Sequence, residues 1–286
     1  MSRLTTREHW DEVWRDGTTR YEQEPKSKLK GIIKRILGEK LLSYKIAYSD
    51  YLIWEVIYPQ FLPRAEGLKI VEIGSAPGLR LVRFHKEFGY TPYGLEYSDT
   101  GAEFNRRVFA DNGIDPDNVI HNDFFADTFL EQYREFFDLI ISSSFVEHFS
   151  NPQEVVDRHI ALLKPGGVLI VVIPNLRGLN YLLGTSLKKD WKEIHYFDIM
   201  DRRKFALLFE KAGLAPACCR YVGTFGVDGL QVTPGSRLRP LLSLCQKLQL
   251  GVNVFYRVVF RTRSPEHKWF SPYLIYIGKK EQNKHI

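Results

Sequence analysis

Cysteine is scarce: the 286-residue chain carries three, Cys218, Cys219 and Cys245. Two are adjacent, and none falls into a metal-ligand spacing. A disulfide framework and a thiolate metal site are both excluded, and a reducing compartment fits best. No apolar run reaches the length of a membrane crossing. The segment Met1 to Trp10 is polar and charged, without the apolar core of a secretion signal. These absences together predict a cytoplasmic location. No internal repeat or low-complexity tract is present. The chain also lacks the G-x-G-x-x-G fingerprint of dinucleotide binding, because Ala76 stands two positions after Gly74, which counts against a nicotinamide-dependent oxidoreductase.

Acidic residues are scarce in one region only. Between Arg237 and Lys280 there are nine Lys or Arg residues and a single acid, Glu266, in a chain of net charge +6. Such asymmetry points to an anionic partner surface, the alternative being a solvated basic face. Phe255, Tyr256 and Trp269 could stack on bases. No known RNA-binding module is recognisable, however, so nucleic acid ranks below lipid headgroups or a phosphorylated substrate.

What is present is a series of strand ends. Ile70-Val71-Glu72-Ile73-Gly74-Ser75-Ala76-Pro77-Gly78 reads as a buried strand running into a tight glycine loop, with a helix from Leu79 to Phe88 behind it. Glycine there supplies positive φ and removes the Cβ that would keep a ligand away. Thr91 to Glu96 is a second strand ending in an acid, and His121-Asn122-Asp123-Phe124 is a third strand end with another. Phe137 to Ser142 is a fourth strand, followed by Val146-Glu147-His148, and Val168 to Pro174 is a fifth. Strands alternating with helix-length segments predict a parallel sheet with ligands at its carboxyl ends.

In this order and spacing the motifs resemble class I S-adenosylmethionine-dependent methyltransferases, and within them the subgroup of ubiquinone-biosynthesis O-methyltransferases. The resemblance spans Lys69 to Leu214 closely and Tyr273 to Gly278 more loosely. It implies a Rossmann-like, seven-stranded, mostly parallel sheet with an antiparallel last strand and helices on both faces. An N-terminal helical cap (1–67) and a helical insertion (226–270) would flank a core formed by 68–225 and 271–280.

The resemblance also assigns roles. Gly74, Ser75, Ala76 and Gly78 would wrap the amino-acid tail of S-adenosylmethionine, with Glu72 near its ammonium. Glu96, with Tyr97 beside it, would hold the ribose hydroxyls. Asp123 would meet the adenine amino group beside Phe124, and Ser142 would border the sulfonium. The implied acceptor is a small molecule, a sugar or a lipid-linked compound, methylated on oxygen. The Asn-Pro-Pro-Tyr and Asp-Pro-Pro-Tyr signatures of amide or base-amine methylation are absent, Ile173-Pro174-Asn175-Leu176 standing there instead. A non-catalytic binding module and a nucleic-acid methyltransferase stay open as alternatives.

Two histidines could accept the acceptor's proton, since their pKa lies near neutrality. His148 follows Glu147 beside the expected methyl site, and His195 lies in the segment that would close over the acceptor. Some quinone-directed relatives bind a divalent metal near this region. Glu147 and His148 alone are too few ligands to predict one.

In the cap, Thr5 and Glu8 form a capping-box pattern ahead of a short helix from Arg7 to Trp14. A basic amphipathic helix is expected over Lys26 to Leu37, and a third from Ser49 to Phe61 with Trp54 and Ile57 facing the sheet. In the insertion, Leu238, Leu241, Leu242, Cys245, Leu248 and Val252 recur at helical spacing. Two fates are expected for that stripe: burial against the core, or contact with an anionic membrane through 237–263, which would make the protein peripheral at the inner membrane surface.

Overall fold

The computed structural model describes residues 3–23, 46–187, 192–227 and 237–282. The helix expected over Lys26 to Leu37 lies outside them. Seven strands form one sheet in the order β3-β2-β1-β4-β5-β7-β6. They are β1 (Lys69–Ile73), β2 (Thr91–Glu96), β3 (Val119–His121), β4 (Phe137–Ser143), β5 (Leu163–Pro174), β6 (Leu214–Val222) and β7 (Tyr273–Lys280). The pairs β1–β2, β2–β3, β1–β4 and β4–β5 are parallel, and β7 runs antiparallel to both β5 and β6. The expected mostly parallel sheet with an antiparallel last strand is therefore the observed one.

The central strands are apolar on both faces because helices cover both. Alternation then divides the core in two. Ile70, Leu139, Ile141 and Ile170 face one layer, formed with Trp54, Ile57, Tyr58 and Phe84. Val71, Ile73, Ile140 and Leu169 face the other, with Phe129, Val155, Phe205 and Phe209. The first layer contains α2, which begins as Tyr48–Leu52, widens into a π-helical turn over Ile53–Ile57 and closes as Tyr58–Phe61. It also contains α3 (Leu79–Phe88) and α4 (Asp99–Asp111). The second holds α5 (Asp127–Tyr133), α6 (Pro152–Leu162) and, after α7 (Leu179–Leu187), α8 (Arg202–Lys211). Asp201 caps α8 as its position suggests, accepting the amides of Arg203 at 3.0 Å and Lys204 at 3.4 Å.

Three expectations need correction. The first helix, α1 (Arg7–Gln23), runs well past Trp14. Its capping oxygen is on Thr6, which accepts the His9 amide at 3.3 Å, while Thr5 accepts the Trp10 indole at 3.1 Å. The sixth strand, which the sequence places at about Ala215 to Phe225, runs instead from Leu214 to Val222 and ends where Gly223 turns with φ +81°. The helix of the insertion, α9 (Arg239–Val259), does not bury its leucine stripe: its buried residues are Gln249 and Asn253. Among the described residues no helix is long and apolar enough to cross a membrane.

α8 closes one face of the sheet through Phe209, whose ring stacks on Tyr276 with centroids 3.7 Å apart and planes within 9°. Phe209→Ala should cost about 3–5 kcal/mol of stability. The measurement is a urea melt in which the midpoint falls while the slope is unchanged. A loss under about 1 kcal/mol would show that this stack is not a main support of the face.

Candidate active site

The chain moves outward from β1 to β3, then crosses back to place β4 on the other side of β1. That reversal opens a crevice at the carboxyl ends of β1 and β4. A cavity of about 380 Å³ occupies it. Its floor is the glycine loop, where Gly74 and Gly78 adopt φ of +71° and +88°. A Cβ on Gly78 would sit 2.0 Å from Asn105 Oδ1, so no other residue fits. Asn105 in turn donates to Ser75 Oγ at 2.6 Å, holding the loop to α4.

Glu96, buried at the end of β2, ties the loop to the next strand. One carboxylate oxygen accepts the amides of Tyr97 and Ser98, both at 3.0 Å, and the other accepts the Ala76 amide at 3.3 Å. Burial raises its pKa and these three amides oppose the rise. Glu72 is equally buried. Arg80 pairs with its Oε1, while its Oε2 has no hydrogen-bond partner. Burial pushes its carboxyl up against the pull of Arg80.

Asp123 and Phe124 complete the far end. Burial alone would raise the pKa of Asp123, but hydrogen bonds from Arg3 and the Phe125 amide hold it below the usual carboxylate range. Arg3 lies over the rings of Tyr97 and Phe125 at 5.1 and 5.3 Å.

Of the residues proposed from sequence, Glu72, Gly74, Ser75, Ala76, Gly78, Glu96, Tyr97, Asp123, Phe124 and His148 all border this cavity. Ser142 does not. It is fully buried in the sheet between Ile73 and Val171, and Ser143 and Ser144 border the cavity in its place. Ser144 takes the strained φ of +53°. Arg3, Trp10, Trp14 and Phe145 also line the cavity and were missed. Only the Trp10–Trp14 spacing on one helix hinted at them.

A second cavity, of about 500 Å³, lies beside the first. His195 borders it, with Tyr48, Asn180, Asn253 and Tyr256. Trp10, Ser144 and His148 border both cavities. The two histidines meet because the segment after β5 is pinned to the turn after β4. The Tyr196 amide donates to the Glu147 carbonyl at 2.6 Å, and His148 Nδ1 donates to the Ile194 carbonyl at 2.7 Å. The rings of His148 and His195 are then 4.8 Å apart.

That bond leaves His148 Nε2 as the basic nitrogen of a neutral ring. Burial, with His195 close by, drives its pKa down to about 3. Glu147 is completely buried, neither of its oxygens has a hydrogen-bond partner, and burial pushes its pKa up to about 8. Glu147, His148 and His195 place one ligand-type atom each within 4.8 Å of one another. Where the sequence offered a pair too small for a metal, tertiary structure supplies a third member. The set could hold a cation or handle a proton.

A doubly wound sheet, a glycine loop at its switch point and strand-end acids facing one cavity define a class I methyltransferase architecture. A family model described as "Methyltransferase domain" matches residues 11–218, and the chain belongs to that family. Two curated relatives are similar, both ubiquinone biosynthesis O-methyltransferases. The one from Chelativorans sp. (strain BNC1) is 31% identical over 117 residues, covering 40% of this chain and 44% of the relative. The one from Shewanella sp. (strain ANA-3) is 27% identical over 101 residues, covering 35% and 41%. The chain thus matches under half the length of either. Among solved structures, the geranyl diphosphate C-methyltransferase of Streptomyces coelicolor A3(2), in complex with Mg²⁺, geranyl diphosphate and S-adenosylhomocysteine, is similar in fold. It has a TM-score of 0.52 at 15% identity, covering 90% of this chain and 86% of that one.

The cofactor of this class is S-adenosylmethionine, and the residues present fit it. The unpaired Glu72 Oε2 suits an ammonium, and at Gly74 a Cβ would press on Phe145 in the cavity wall, space that the glycine leaves open.

Two outcomes follow. Glu96→Ala removes the carboxylate shared by three amides, which is the one expected to meet the ribose. Titration calorimetry with S-adenosylhomocysteine should show binding weakened by about 1.5–3 kcal/mol, and unchanged affinity in a folded variant would move the ribose elsewhere. Glu147 titrates near 8 when folded against an ordinary 4.5. Its contribution to stability is complete below the lower value and is lost as pH rises through the upper one, about 1.4 kcal/mol per unit between them. Thermal melts of Glu147→Gln across that window should therefore fall less than those of the wild type. Equal pH dependence would show that Glu147 ionises as freely folded as unfolded.

Proposed function

We propose that this protein transfers a methyl group from S-adenosylmethionine to a hydroxyl oxygen of a small-molecule or lipid-linked acceptor held in the second cavity. The observation that carries the reading is the shared wall: Trp10, Ser144 and His148 border both cavities. The names of the curated relatives support oxygen as the acceptor atom.

When bound, the cofactor supplies an electrophilic methyl carbon on a sulfonium. Glu72, Gly74, Ser75, Ala76 and Gly78 would hold its tail, Glu96 its ribose, and Asp123 with Phe124 its adenine. The protein's remaining task is positioning and proton removal. Trp10 stands edge-on to the His148 ring, centroids 5.4 Å apart, and keeps the junction apolar. His148 Nε2, fixed as the basic nitrogen by the bond from Nδ1 to Ile194, takes the acceptor's proton only as oxygen bonds to carbon, when the proton has become acidic enough for a base weakened by burial. The Glu147 carboxyl, 4.0 Å from Nε2, stabilises the resulting imidazolium when ionised. His195, which borders the second cavity with its ring 4.8 Å from that of His148, orients the acceptor.

The test follows labelled methyl groups from S-adenosylmethionine into a total lipid and metabolite extract. His148→Ala should lose roughly 10²–10⁴-fold in turnover while keeping cofactor affinity, and His195→Ala should raise KM more than it lowers kcat. Wild-type turnover in both variants would reject the proton-transfer role. Loss of activity on chelation, restored by Mg²⁺, would reassign Glu147, His148 and His195 as cation ligands.

A further inference from the structure

The helix α9 is built the wrong way round for a helix lying on a protein in water. Its two fully buried residues are polar, Gln249 and Asn253 being 5% and 2% exposed, with the half-buried Tyr256 beside them against Tyr48. Gln249 donates to Asn253 at 3.1 Å and accepts the Val227 amide at 3.3 Å. Its outward residues are apolar: Leu241, Leu244, Leu248, Phe255, Val258 and Val259 are each between 52% and 64% exposed. Their spacing places them along one side of the helix. The polar anchors fix the rotation, so this apolar face cannot turn inward without breaking them.

We propose that α9 docks this protein on an anionic lipid bilayer, its apolar face in the acyl boundary and the flanking cations among the headgroups. Charge is the reason for choosing a bilayer. From Arg237 to Arg263 the chain has six cations and no acid. Arg237, Arg239 and Lys247 on the N-terminal half, and Arg261 and Arg263 just past the C-terminus, are exposed. Arg257 is engaged over the Tyr51 ring at 4.1 Å and is left out of the count. An apolar face rimmed by cations matches an interfacial helix on anionic lipid. A second copy is a poorer occupant, because pairing two such faces in either direction sets cations against cations with no acid between them.

The same helix forms part of the acceptor cavity, where Asn253 and Tyr256 line the wall. A docked α9 would hold that cavity one helix diameter, about 10 Å, from the membrane surface, so that the acceptor is a lipid-embedded molecule entering past the helix from the bilayer. This second step rests on the function proposed above; the docking itself does not.

The full-length chain is sedimented with phosphatidylcholine vesicles, pure or enriched in phosphatidylglycerol. Binding is expected to the anionic vesicles only and should fall as salt rises. The variants are L241Q/L244Q/L248Q on the apolar face and R237Q/R239Q/K247Q on the rim. Each rim charge removed should weaken binding about fivefold, and the apolar variant should lose it, with S-adenosylhomocysteine affinity unchanged in both. No binding to anionic vesicles at low salt overturns the proposal. So does equal binding by the apolar variant, or a dimer in sedimentation velocity that this variant dissolves. If vesicles bind while His148→Ala turns over normally, the docking stands and the proton-transfer role falls. If a soluble acceptor is methylated without vesicle binding, the reverse holds.

Discussion

The whole active region depends on one carboxylate. Glu96 ends β2 and accepts amides from both sides, Ala76 from the loop after β1 and Tyr97 and Ser98 from its own turn. Without it, three buried N–H groups would lack a partner, each costing about 1–3 kcal/mol. β1 and β2 are thereby locked together at their carboxyl ends, on one side of the switch point. The ligand cavity can be open only because its floor is over-determined in this way. Asn105 repeats the arrangement at the other end of the loop, filling the space beneath Gly78 and gripping Ser75.

Around that floor, burial is used for chemistry. Glu147 and His148 are adjacent in sequence and both shielded from water, and burial drives both toward their neutral forms. A neutral imidazole with one nitrogen committed to a carbonyl keeps a lone pair on the other, but its lowered pKa makes it a weak base. The buried carboxyl close by holds its proton at neutral pH. The N-terminal segment supplies the lid: the Leu4 amide donates to the His148 carbonyl at 2.9 Å, and Arg3 reaches Asp123. Asp11 accepts from Ser98 Oγ at 2.6 Å, holding α1 against the start of α4. The residues around the proposed junction therefore come from the N-terminal helix, the turn after β4 and the segment after β5.

Much of the cofactor side was legible in the sequence because it is local. A glycine loop between a buried strand and a helix has one geometry, and Glu96 and Asp123 sit at strand ends where parallel sheets bind ligands. Ser142 was misplaced because strand alternation turns its side chain into the sheet, and the positive φ of Ser144 leaves no trace in the sequence. Thr5 matched a capping pattern that Thr6 fulfils, because the Trp10 indole competes for the Thr5 hydroxyl. Arg3 carried no signal, since its partner Asp123 is 120 residues away.

By itself, the sequence determined the sheet, the order of its loops and most of the residues it names that border the first cavity, all of which follow from apolar periodicity and glycine placement over short spans. Tertiary structure alone decided what long-range contact decides. His195 meets Glu147 and His148 because one backbone bond and one bond from the His148 ring pin its segment to theirs. The leucines of α9 face outward because Gln249 and Asn253 find their partners inside. Periodicity tells which side of a helix is apolar; only the packed chain tells whether a core is there to cover it.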